Sequence, residues 1–215
     1  MADPRFDPSG AVTFDLQHGL VHREGAPPTV LVPHGGLLAL CAAAGHDAAI
    51  IFGRAVGAAM GGRLAARFAG TREVDSRRGD GSSPPTQTPA SVDAAAAVRR
   101  ASIEAVVEHL GGELALGGFG SLSLERWGRA MVLVVDHAPL GPAGDVLLEA
   151  ILEGALVACT GRSPRVGLLH REESRARFFV GSTAAIERVQ MQVRVGETWA
   201  EALVQLHDGT TEGGA

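Results

Sequence analysis

Small residues recur every fourth position along one stretch of this chain: Ala49, Gly53, Gly57, Gly61 and Ala65. Beside them runs a ladder of large apolar residues, Phe52, Val56, Met60, Leu64 and Phe68. Four-residue spacing places each set on one ridge of an α-helix. A glycine inside a helix costs roughly 0.5–1 kcal/mol against alanine. Three in register therefore imply a neighbour whose backbone approaches too closely for side chains. Three uses of this helix stay open: packing inside one chain, a two-fold contact between copies through Gly53, Gly57 and Gly61, and a pocket wall built from Phe52, Val56 and Met60.

The chain has 215 residues, of which 46% are apolar, enough for one domain with a substantial core. The net charge of −5 is mild and the signs are interspersed, so no polyanionic partner such as nucleic acid is implied. Lys, Tyr and Asn are absent. All three use A/T-rich codons, which points to a GC-rich genome. Their absence excludes a lysine Schiff base, a P-loop, a phenolic acid and an N-glycosylation site. Cys41 and Cys159 lie in alanine- and leucine-rich surroundings, where buried free thiols are expected, as in a reducing compartment. The polar start, Met1 to Gly10, does not read as a signal peptide. The ladder helix carries Arg54, Arg63 and Arg67, costly in lipid. A soluble, cytoplasmic protein that does not span a membrane is expected.

Residues 1–9 read as a flexible arm, and 10–181 as a single domain. Val12 to Leu16 alternates as a strand does, and Gly19 and Gly25 punctuate a hairpin. Thr29 to Val32 reads as extended. Helices are predicted over Leu37–Ala44, over His46–Ala69, and from a cap at Ser91 to Leu110, where Gly111-Gly112 is read as a stop. Residues 70–90 hold almost nothing apolar and read as a mobile loop; their Arg78-Gly79-Asp80 is taken as coincidence. Leu114 to Glu125 reads as extended, and Ala130 to Val135 as a strand covered on both faces. Asp145 to Cys159 reads as a helix that stops at Gly161. A second hairpin spans Arg165 to Val180. A helical extension over 182–207, kinked at Gly196, precedes a disordered tail at 208–215. Helices alternating with antiparallel pairs predict an α+β fold, with helices packed on a small antiparallel sheet of two hairpins.

No catalytic residue, metal ligand or cofactor is predicted. His18 and His22 are four apart but fall in strand and turn, and the other histidines are scattered. There is no Gly-x-Ser-x-Gly elbow. Cys159 sits at a helix C-terminus, the wrong end for a thiolate. Glu149 and Glu153 share a helix face and are read as a solvated stripe. Gly117-Gly118-Phe119-Gly120 leads into a strand, unlike a dinucleotide loop. The Arg-rich hairpin from Arg165 to Arg177 is read as an edge guarded by charge.

Several segments together resemble the 4-vinyl reductase domain family, whose relatives include the TRAPP vesicle-tethering subunits. Val30-Leu31-Val32-Pro33 with Leu37-Leu38 is similar to its opening strand and helix. Ile50 to Gly57 resembles its Gly-spaced second helix. Gly120–Leu124 with Met131–Val135 resembles its central hairpin, Leu148–Leu156 the following helix, and Val166–Val180 the closing hairpin. The resemblance spans roughly residues 28–181, and the segment from Ser182 lies beyond it. Many members carry cysteines at the start of the helix after the central hairpin; Pro142 to Asp145 has none, so their metal site is not expected. The resemblance implies a domain that binds small hydrophobic molecules or serves as a dimeric scaffold. The leading expectation is a non-enzymatic, homodimeric scaffold or adaptor, with Trp199, Leu203 and Leu206 meeting a protein partner. The alternative is a sensor or carrier whose hydrophobic ligand lies between helices and sheet, against Phe52, Val56, Met60 and Leu152.

Overall fold

A computed structural model describes residues 5–23, 25–27, 29–77 and 90–208. Two short strands, β1 (Val12–Asp15) and β2 (Leu20–Arg23), pair as an antiparallel hairpin. Thr29 touches Val21 in an isolated bridge, but the expected strand beyond it does not form. Helices α1 (His34–Ala44) and α2 (His46–Arg77) follow, then α3 (Ala90–Val98) and α4 (Ile103–Leu116). Next come β3 (Ser121–Trp127), β4 (Ala130–Asp136), a short 3-10 turn at Pro142–Gly144, and α5 (Asp145–Thr160). The chain closes with β5 (Arg165–Glu172), β6 (Arg175–Gly181), α6 (Thr183–Arg194) and α7 (Trp199–Asp208). The two later hairpins join through β4 and β6 into one antiparallel sheet of order β3-β4-β6-β5. The architecture is the predicted α+β.

The small ridge of α2 lies against α5 of the same chain. A Cβ on Gly53 would fall 2.7 Å from the Ala150 Cβ, and one on Gly57 or Gly61 would overlap the carbonyl oxygen of Ile151 or Ala155. Gly154 answers from α5, where a Cβ would come 2.8 Å from the Cα of Arg54. Small residues on both helices thus let two backbones touch. The two-fold contact between copies through Gly53, Gly57 and Gly61 is thereby ruled out, because α5 already occupies that ridge. The segment His46–Gly70 is long and apolar enough to cross a membrane by length and composition. Here its small ridge is against α5, and Arg63 and Arg67 meet a buried carboxylate.

Strand β4 is buried on both faces, as its unbroken apolar run predicts. Leu133 and Val135 enter a core with Leu64, Leu110, Leu148, Ile151 and Phe178. Val132 and Val134 enter a second core with Phe179, Ile186, Val189 and Leu203. The extension past the sheet is therefore a third layer, α6 and α7, broken at Gly196 with φ of 103°. Leu203 is fully buried there, with Trp199 and Leu206 packed around it. Their expected role at a partner surface is corrected: the outer sheet face is apolar and needs its own cover.

Two predicted boundaries move for a packing reason. Helix α4 runs through Gly111-Gly112 instead of stopping. Gly111 lies against Leu122, and a Cβ on Gly112 would overlap the ring of Phe6; these glycines are close-approach positions, not a cap. The single helix from Ser91 is two, because Ser102 caps a new one, its hydroxyl accepting from the Ala105 N–H at 3.2 Å. Phe6, in the expected arm, stands edge-on to His109 with ring centres 5.7 Å apart. Of the expected loop at 70–90, residues 78–89 lie outside the described residues, α2 continuing to Arg77. Nearly all of the expected tail also lies outside them.

Gly57→Ala is expected to destabilise the protein by about 1–3 kcal/mol in urea unfolding, because the methyl meets backbone that cannot step aside. Gly62, exposed on the same helix with nothing near its missing Cβ, is the control. Gly62→Ala should stabilise by about 0.4–1 kcal/mol. Equal midpoints for the two variants would contradict the close crossing.

Candidate functional site: a cavity beside a buried carboxylate

The large ridge of α2 has two ends. Leu64 and Phe68 go into the core, while Phe52, Val56 and Met60 line a cavity of about 590 Å³. The opposite wall comes from the N-terminal hairpin and the chain after it, with Val12, Val21 and Val30–Val32. Leu37 of α1 and Leu140 close other sides, and the Gly117-Gly118-Phe119 turn forms the end. Gly117 is needed there, since a Cβ would crowd the Phe119 ring and the Met60 methyl, at 2.8 and 3.1 Å. The volume falls in the range of small-molecule sites, about 300–1,000 Å³.

Three of the four residues expected around a ligand are therefore brought together. Leu152 is not among them. It is fully buried in the main core. Sequence reasoning missed the hairpin wall, the Phe119 turn and Leu140. The glycine-rich turn was visible as a string but had no periodicity to place it.

The polar lining is small. Arg23, Thr29 and His34 border the cavity, and among the described residues no carboxylate does. Arg23 leads directly to the most buried charge in the described chain. Glu113 on α4 is fully buried and meets three guanidiniums. Arg63 donates through Nε at 2.9 Å and Nη2 at 2.6 Å, Arg67 approaches at 2.7 Å, and Arg23 donates through Nη2 at 3.1 Å. Arg23 Nη2 also reaches the Glu113 carbonyl at 3.4 Å. Burial presses the Arg23 pKa below its ordinary value; Glu113 opposes this, and Arg63 and Arg67 add to it.

A second polar set runs along α5. Asp145, Glu149 and Glu153 stand four apart and face the edge strand β5. Glu153 accepts from Arg54 Nε at 2.9 Å, Arg165 Nη1 at 3.1 Å and the Val166 N–H at 3.4 Å. Glu149 accepts the Leu168 N–H at 3.1 Å, and Asp145 holds Arg171. The expected solvated stripe of Glu149 and Glu153 is corrected: Glu153 is buried and Glu149 half-buried. Glu149 and Glu153 thus take up N–H groups of β5, which among the described residues pairs only with β6. An open hollow of about 390 Å³ lies beside Arg54, Glu153 and Arg165.

The Cys159 thiol is fully buried, and burial pushes its pKa up to about 11, so a thiolate nucleophile is disfavoured there. Among the described residues, no three His, Cys, Asp or Glu side chains are grouped to hold a metal.

Burial raises the Glu149 pKa, and the neighbouring Glu153 and Asp145 charges add to it, against the Leu168 hydrogen bond and Arg165. The folded chain therefore holds this proton to higher pH than the unfolded chain. Its contribution is fully present below the ordinary glutamate range and is lost as pH rises through the raised value. Glu149→Gln keeps an acceptor for the Leu168 N–H and removes the ionisation. Its urea midpoint is expected to exceed that of the parent near pH ~7 and to lose that advantage under acid. Identical pH profiles would contradict this assignment.

No family model matches the chain, and no curated protein matches it. Among solved structures, the chain superposes on the phenol-responsive sensory domain of the transcription activator PoxR, crystallised with phenol. The TM-score is 0.49 at 14% identity, with 92% of each chain covered.

Proposed function

We propose that this chain is a non-enzymatic sensor or carrier domain that holds a small hydrophobic molecule in the cavity between the N-terminal hairpin, α1 and α2. The observation that carries the reading is the cavity itself: about 590 Å³, walled by Phe52, Val56, Met60, Leu37 and Phe119, with a few polar groups in its lining. That is the composition of a site that selects a ligand by shape and orients it with a few bonds. Its polar groups suit binding, and the Cys159 thiol is not among its walls. The resemblance to 4-vinyl reductase and tethering-subunit domains likewise implies a small hydrophobic ligand, but this reading puts it elsewhere than between helices and the four-stranded sheet: among the described residues none of β3–β6 lines the cavity. The two free cysteines suit a reducing, cytoplasmic setting.

A homodimeric scaffold is the second reading, and a separate observation favours it. Helix α1 buries none of its residues although it is almost wholly apolar. Leu40 is 64% exposed and Ile51, at the start of α2, 70%. Val30, Leu31 and Val32 are exposed as well. Exposed apolar patches of this kind mark association surfaces, and a second copy paired by two-fold symmetry is the commonest occupant. The assembly surface is thus reassigned from the small ridge of α2 to α1 and its neighbours.

Native mass spectrometry of the purified protein should show a bound hydrophobic mass, or uptake of added 1-decanol, and Val56→Trp should abolish both by filling the cavity. A parent protein that arrives empty and takes up neither 1-decanol nor decanoate would refute the ligand reading. For the second reading, light scattering should report a dimer, converted to monomer by Leu40→Glu with Ile51→Glu. A monomer at every concentration would end it.

A further inference from the structure

Arg23 differs from every other residue lining the cavity. Two guanidiniums, Arg23 and Arg63, share the single Glu113 carboxylate before Arg67 is considered. Arg63 makes the shorter contacts, at 2.6 and 2.9 Å, and Arg23 the longer one, at 3.1 Å. Glu113 therefore compensates Arg23 only in part. At the hollow beside α5, Arg54 and Arg165 likewise share Glu153, but their side chains are 45% and 44% exposed, so water solvates the excess charge. The Arg23 side chain is 11% exposed, and its remaining outlet is the cavity. Among the described residues its Nη2 alone is bonded, whereas a guanidinium carries five N–H donors in a planar fork.

Resting on the cavity reading above, we propose that the molecule bound there is an amphipathic monoanion, its carboxylate-type head seated on Arg23 and its apolar body against Phe52, Val56 and Phe119. A carboxylate accepts two parallel bonds from such a fork. It also supplies the negative charge that Arg23 shares too thinly with Arg63. Among the described residues no carboxylate lines the cavity to repel such a head, and Thr29 and His34 are the other side chains able to donate to it. A neutral ligand would fill the same apolar volume while leaving the half-buried Arg23 with only its share of Glu113 as counter-charge, which is less favourable. The lowered Arg23 pKa has the same origin in burial and crowding by Arg63 and Arg67.

The test is a matched pair of probes, decanoate and 1-decanol, titrated calorimetrically into the intact protein at low salt. Decanoate should bind at least about tenfold more tightly, as expected for hydrogen bonds to a charged group. Arg23→Met should bring that ratio close to one, and Arg23→Lys, which keeps the charge without the fork, should retain part of it. Because Arg23→Met loosens a contact to Glu113, its melting curve is recorded alongside; the comparison of probes on the parent protein needs no variant. Equal affinities on the parent, or a full preference surviving in folded Arg23→Met, would overturn the assignment of the head group while leaving the cavity reading intact. Failure of both probes to bind the parent would overturn the cavity reading itself.

Discussion

The contact of backbone on backbone between α2 and α5 organises this molecule. Gly53, Gly57 and Gly61 on one side, and Ala150, Gly154 and Ala155 on the other, remove the side chains that ordinarily hold two helices apart. The approach is possible only along one ridge, which fixes the rotation of α2 about its axis. Once the small ridge is committed to α5, the adjoining large ridge must point toward the hairpin at one end and the core at the other. The cavity is a consequence: Phe52, Val56 and Met60 face it because the glycines beside them face α5.

Charge is handled by burying carboxylates and bringing arginines to them. Glu113 ties the N-terminal hairpin to α2 and α4 through Arg23, Arg63 and Arg67. Asp145, Glu149 and Glu153 seal the free edge of β5, where a bare strand would invite another chain. Buried pairs of this kind add little net stability but are costly to break, so they act chiefly on arrangement. Glu113 sets where the hairpin sits over the cavity, and the α5 carboxylates set where the sheet ends.

Much of the fold was legible in local pattern. The alternation in β3, the unbroken run in β4 and the cap at Gly161 each act over a few residues, so the chain states them locally. The errors have a common cause. Gly111-Gly112 looked like a stop because a glycine looks the same whether it frees the backbone or admits a neighbour. Glu149 and Glu153 looked solvated because their partners, Arg54 and the N–H groups of β5, are distant in sequence. Trp199 and Leu203 looked available because the apolar outer face of the sheet, which they cover, is invisible until the strands are paired.

What the sequence determined by itself was the periodicity: which residues share a ridge or a strand face, and hence that helices would pack on a small antiparallel sheet with one crossing closer than usual. It also determined that Phe52, Val56 and Met60 would stand together. Only the tertiary structure decided what lay opposite them. It gave the small ridge to α5 rather than to another copy, placed Leu152 in the core, and brought Arg23 across 90 residues to Glu113 at the cavity wall. The reason is physical: helical and strand periodicity is set by local backbone geometry. The partner of a face is set by which distant surfaces exclude water together, and no local spacing encodes that.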